Sequence, residues 1–183
     1  MHQQLSRLVC LSQIDHISHP RSRAIDPTLT TRYIKNSLAI DSTQMTLIRA
    51  SARKHKITIA LGFSENDHNS LYIAQCTIDD SGEIVMRRRK LMPTHMERTI
   101  FGNCSGNSLD NVVATAVGNV GQLACWEHVQ PLLKYHTITQ REVFHVAAWP
   151  PVYDMASEAE LWSMTRDGEY CMRASYRERV SSR

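Results

Sequence analysis

Cys125 stands in "GQLACWEHVQPLLKY", between an apolar run that reads as a strand and a segment that can open a helix. Such a junction exposes backbone N–H groups and the positive end of a helix dipole, both of which favour a thiolate and an oxyanion beside it. A strand-end cysteine serves equally as a packing thiol, so residue type leaves both readings open, with a redox-responsive thiol as a third. His128, three residues on, invites a Cys–His dyad, although such dyads usually join residues distant in sequence. Lys90 closes "MRRRK", where alternation along a strand sends Arg87 and Arg89 to one face and Arg88 and Lys90 to the other. By type alone Lys90 is a surface lysine and Glu97, in "LMPTHMERTIFG", a solvated carboxylate.

The elements that must position these residues are legible in outline. Residues 1 to about 40 lack a sustained period and read as loop, with a short turn of helix near their end. "DSTQMTLIRASARKHK" predicts a helix capped by Asp41, with Gln44 reaching back and Met45, Ile48 and Ala52 on one face. "ITIALGF" (57–63), "SLYIAQCTID" (70–79) and "EIVMRRRK" (83–90) predict strands, the last two joined across "DDSG" as an antiparallel hairpin. "VVATAV" and "VGQLAC" predict a second hairpin with Gly118 and Asn119 in its turn. A helix with Pro131 near its start and the strand "VFHVAAW" then complete a parallel crossover. A final helical block opens at Ser157 and is interrupted at Gly168. The class is α/β, with helices on a sheet that mixes antiparallel hairpins with a parallel unit.

Composition narrows the function classes. With 183 residues, 42% hydrophobic and 21% charged, the chain is sized for one core, and its net charge is only +3. No apolar stretch approaches the roughly 20 residues that span a bilayer, and the start is too interrupted for a secretory signal. A cytoplasmic, reducing setting and no membrane partner are the expectation. The five cysteines are scattered without a CxxC pair, which argues against a disulfide framework or zinc site. Of nine histidines only His16 and His19 are close, without a supporting carboxylate cluster, so no metal is expected. "RRRK" lacks aromatic interleaving and reads as a strand with alternating solvated arginines rather than a nucleic-acid patch.

"RRRKLMPTHMERTIFG", "GQLACWEH" and "HVAAWPP" resemble the nitrilase branch of the carbon–nitrogen hydrolase superfamily, and more narrowly the fungal nitrilases and cyanide hydratases. "LGFSENDHNSLYIAQ" and "LTTRYIKNSLAIDS" are similar to the same group, in the same order. The resemblance covers residues 26–168, leaving 1–25 as an unmatched, poorly ordered segment and 169–183 as a divergent helical tail. It implies an α-β-β-α sandwich, here partial, that associates into homo-oligomers or with a full-length relative. It also implies Cys125 as the nucleophile, Lys90 as the group that stabilises the developing negative charge, and Glu97 as an assisting carboxylate. The implied reaction turns a nitrile into a carboxylic acid and ammonia through a thioimidate and an acyl-enzyme, without cofactor or metal. "CWEHVQPLLKYH" leans towards organic nitriles over cyanide. One departure is plain: the family's general-base glutamate belongs in an N-terminal "FPE" motif, whereas the first glutamate here is Glu65. A catalytically dead fragment or assembly partner therefore stands as the alternative.

Overall fold

Ser42 begins helix α2 (Thr43–His55): its backbone is extended and its hydroxyl accepts from Met45 N–H at 3.2 Å. The cap is thus one residue later than the Asp41 cap expected. The buried face is the expected one, for Met45 and Ala52 are sealed and Ile48 packs beside them. The helix ends where Lys56 turns left-handed at φ 51°, after Arg53 and Lys54 have placed positive charge on its last turn. The computed structural model describes residues 7–12 and 26–148. The block from Ser157 and the His16–His19 pair lie outside the described residues.

The face of α2 covers a four-stranded sheet in the order β1 (Arg7–Ser12), β2 (Ile57–Asp67), β3 (Ser70–Ile78), β4 (Ile84–Arg89). Ile59, Leu61 and Phe63 of β2 and Ala74, Cys76 and Ile78 of β3 share this core with α2. β2 and β3 join through His68 and Asn69, both left-handed at φ 53° and 70°, the geometry a two-residue hairpin requires. Between β3 and β4, Asp79 Oδ1 accepts from Ser81 N–H and Glu83 N–H, and Gly82 takes φ +83° against α2. A Cβ there would stand 2.6 Å from Arg49 O, so only glycine fits.

The first forty residues depart most from expectation. β1 lies parallel to β2 where the sequence reads as loop, and α1 (Pro27–Asn36) is a full helix. Its signals are local: Asp26 Oδ1 accepts from Thr28 N–H and Leu29 N–H, and Pro27 opens the first turn. Thr28, Thr30 and Thr31 mask them because β-branched residues are weak helix formers.

A second sheet holds β5 (Val112–Thr115), β6 (Gly118–Ala124) and β7 (Phe144–Ala148). β5 and β6 pair antiparallel, but the turn falls at Ala116 and Val117, with Gly118 at φ +116° already pairing with Thr115. α3 (Pro131–Thr139) links β6 to a parallel β7, as the crossover reading expects. The sheets face each other. Ala60 meets Val120 and Val146, and Ile73 meets Ala124 and Ala148. Two buried amides cross the gap: Gln75 Nε2 donates to Leu123 O at 3.1 Å, and Gln122 Nε2 to Cys76 O at 3.0 Å. A residue at the end of β4 and one at the end of β6 are thereby held in a fixed relation.

Candidate active site

The run Arg87–Lys90 continues the β4 alternation, and its two faces meet different partners. Arg87 and Arg89 turn towards β2, where both bond the buried Glu65 carboxylate and Arg89 Nη2 also reaches Asp67 at 2.7 Å. Arg89 lies over the Tyr72 ring, 3.8 Å from its centroid. Arg88 turns inward, with side-chain exposure of 0%. The expected alternation is present and Arg87 is exposed as expected, but Arg88 is not solvated: it is a buried member of an ion pair, because Glu127 arrives opposite it.

Glu127 makes that pair bidentate, accepting from Arg88 Nη1 at 2.9 Å and Nη2 at 2.7 Å. Its carboxylate also accepts from Leu91 N–H at 3.0 Å and Ala124 N–H at 2.8 Å. These four bonds tie the end of β4 to the end of β6. The nearby guanidinium and N–H groups hold its carboxyl below the usual range despite burial. With its lone pairs engaged, Glu127 is a strut rather than a proton carrier.

Lys90 follows Arg88 on the inner face, and its own N–H still donates to Ile73 O at 2.7 Å. The ammonium, 1% exposed, lies 2.5 Å from Glu97 Oε2 and 3.2 Å from Thr94 Oγ1. Glu97 reaches this place because Thr94 starts a 3₁₀ turn over His95–Thr99. Thr94 N–H and Oγ1–H both donate to Glu97 Oε2, at 2.6 and 3.0 Å. This is the reciprocal half of a capping box, a signal already present in the T-x-x-E spacing of "PTHME". Neither Lys90 nor Glu97 is the solvated group that its residue type alone suggests. Among the described residues Glu97 Oε1 makes no hydrogen bond.

Cys125 opens a second 3₁₀ turn, Cys125–Val129, at φ 51°, a left-handed conformation unusual for a side-chain-bearing residue. It is 7% exposed, and its thiol feels the Lys90 charge first among its ionic neighbours, then Glu97 and Glu127. The structure therefore brings Cys125, Lys90 and Glu97 together. The expected thiolate-favouring effect of the junction is outweighed. Burial pushes the thiol up to about 11, against the lowering effects of Lys90 and of Trp126 N–H. The Cys–His dyad is absent: His128 Nδ1 meets the Cys125 carbonyl at 2.6 Å, and its Nε2 faces His145.

Sequence reasoning missed Glu127, Thr94 and the inward Arg88. Only Thr94 carried a local signal; the Arg88–Glu127 contact joins residues 39 apart in sequence. Among the described residues no group of three or more His, Cys, Asp or Glu could hold a metal ion, and no helix is long and apolar enough to cross a membrane. Cys76, Cys104 and Cys125 are free.

The chain is 58% identical over 146 residues to an arylacetonitrilase of Aspergillus niger, and 52% identical over 157 residues to one of Aspergillus oryzae. These matches take in 80% and 85% of this chain but 43% and 47% of the relatives, so it spans about half their length. The fold is similar to a carbon–nitrogen hydrolase of Helicobacter pylori, with TM-score 0.67 at 15% identity over 92% of this chain and 55% of that one. It is also similar to Saccharomyces cerevisiae Nit3 of the nitrilase superfamily, with TM-score 0.59 at 16% identity over 81% of this chain and 52% of that one. The profile of the carbon–nitrogen hydrolase family matches residues 24–174, and the chain belongs to that family.

Proposed function

We propose that this chain carries the nitrile-hydrolysing site of a nitrilase, with Cys125 as nucleophile, Lys90 as stabiliser of the developing negative charge and Glu97 as proton carrier. The observation that supports this reading best is the enclosed meeting of a thiol, an ammonium and a carboxylate whose Oε1 makes no hydrogen bond among the described residues. A thiol held at about 11 needs a base to react at neutral pH, and Glu97 Oε1 is a candidate for that transfer. The sulfur adds to the nitrile carbon, the nitrogen takes up a proton, and a covalent thioimidate forms beside Lys90. One water adds and ammonia leaves, giving a thioester. A second water releases the carboxylic acid and restores the thiol. Arg88 and Glu127 contribute by holding the Cys125 and Lys90 backbones together. The named relatives favour an arylacetonitrile as substrate over cyanide.

The test is ammonia release from phenylacetonitrile and from an aliphatic nitrile by the purified chain, beside Cys125→Ala. Release that depends on Cys125 supports the reading, and equal release by both proteins removes it.

A further inference from the structure

The carbonyl of Cys125 accepts from His128 Nδ1 at 2.6 Å, and the N–H of the same peptide group, that of Trp126, is a lowering influence on the Cys125 thiol. On its far side His128 Nε2 meets His145 Nε2 at 3.0 Å, and His145 Nδ1 lies 2.6 Å from Glu142 Oε2. His128 is 1% and Glu142 9% exposed, so the series runs almost wholly out of water.

Hydrogen-bond capacity sets its direction. A carbonyl only accepts, so His128 carries its proton on Nδ1. Burial, aided by His145, pulls the His128 ring down to about 4, which leaves it neutral and its Nε2 an acceptor. His145 must then donate from Nε2. Its Nδ1 faces a carboxyl oxygen, a contact that is a hydrogen bond only when one proton lies between them, on the ring or on Glu142. Gly121 shows that space is kept for this carboxyl group: it pairs with His145 across β6 and β7, and a Cβ on it would collide with Glu142 Oε2.

We infer that Glu142, His145 and His128 form a positioning relay that fixes and polarises the peptide group facing the Cys125 sulfur. The inference rests on Cys125 being the nucleophile, as proposed above. Hydrogen bonds in series strengthen one another, so a proton held at Glu142 and His145 sharpens the His128 bond to the Cys125 carbonyl and polarises the peptide group whose N–H lowers the thiol. The relay also holds the left-handed Cys125 backbone from its carbonyl side, while Glu127 holds it from the Ala124 side. Among the described residues, Lys90, Glu97 and Glu127 act on the sulfur, and His145, Glu127 and Arg88 are among the groups that act on His128.

Two measurements on the whole chain test this. Nitrogen-15 NMR of the imidazole rings reads the tautomers directly: His128 protonated on Nδ1 alone and His145 carrying a proton on Nε2 support the relay, and a His128 proton on Nε2 overturns it. The second is the pH profile of Cys125 alkylation by iodoacetamide, followed on its own peptide, in the wild type, His145→Gln and Gly121→Ala. The relay expects the Cys125 profile to move up by about half a pH unit, a roughly threefold slowing at fixed pH, with Cys104 unchanged. An unmoved Cys125 profile in variants that retain their far-ultraviolet circular dichroism overturns it; where a variant does not fold, the wild-type tautomers decide. Neither measurement needs turnover, so failure here is distinct from failure to release ammonia.

Discussion

Lys90 Nζ and Glu97 Oε2 stand 2.5 Å apart with side-chain exposures of 1% and 6%, so each is the other's charge partner in a space closed to water. Thr94 supports both groups, donating to Glu97 Oε2 from its N–H and accepting from Lys90 Nζ at its Oγ1, which helps an ion pair to persist there. Glu97→Gln leaves the ammonium buried beside a neutral amide. Urea unfolding should show it less stable by about 3–5 kcal/mol, with the double variant Lys90→Met, Glu97→Leu recovering much of the loss. A double-variant loss equal to the sum of the two single-variant losses would show that the pair is not coupled.

Arg88 and Glu127 form the deeper pair. Glu127→Ala strands a guanidinium at 0% exposure and removes acceptors from two backbone N–H groups. A loss of about 3–5 kcal/mol or failure to fold is expected, read by denaturant unfolding. A variant of wild-type stability would remove the strut role given to Glu127.

The two buried thiols make the fold sensitive to alkali. Burial raises Cys76 to about 12 and Cys125 to about 11 from an ordinary 9.0, so above pH 9 the unfolded chain releases protons that the folded chain keeps. Their contribution is complete below that pH and is lost as pH rises. Near pH 11 each thiol removes about 2–3 kcal/mol, and Cys76→Ala or Cys125→Ala should each flatten part of the decline in urea midpoint.

His128 acts at the other end of the scale. Its folded value of about 4 lies below the ordinary 6.5, so as pH falls between them the unfolded chain takes up a proton that the folded chain refuses. Stability present above pH 6.5 is lost towards pH 4, by about 3 kcal/mol from this ring. His128→Gln should flatten that acid slope in thermal melts; an unchanged slope would place the acid sensitivity elsewhere.

How much was legible follows from what each feature depends on. The face of α2, the hairpin of β3 and β4 and the crossover through α3 rest on local periodicity and turn chemistry, and these could be read from neighbouring residues. β1 could not, since "RLVCLS" is a short run whose strand character depends on lying beside β2, residues 57–62. Lys90, Glu97 and Cys125 were found through resemblance; by type alone each had an ordinary surface or packing role. Their surroundings, Arg88 on Glu127 and His128 on His145, come from side chains brought together by the sandwich, and no local pattern announces such contacts.

The central claim is that the Cys125 sulfur adds to a nitrile carbon. Mass spectrometry of the chain, quenched in acid after exposure to phenylacetonitrile, tests it most directly. The account predicts a mass increase on the Cys125 peptide matching the thioimidate or the acyl group, absent in Cys125→Ala and diminished in Lys90→Met. An unmodified Cys125 in folded protein at saturating nitrile, with no ammonia released, would contradict it.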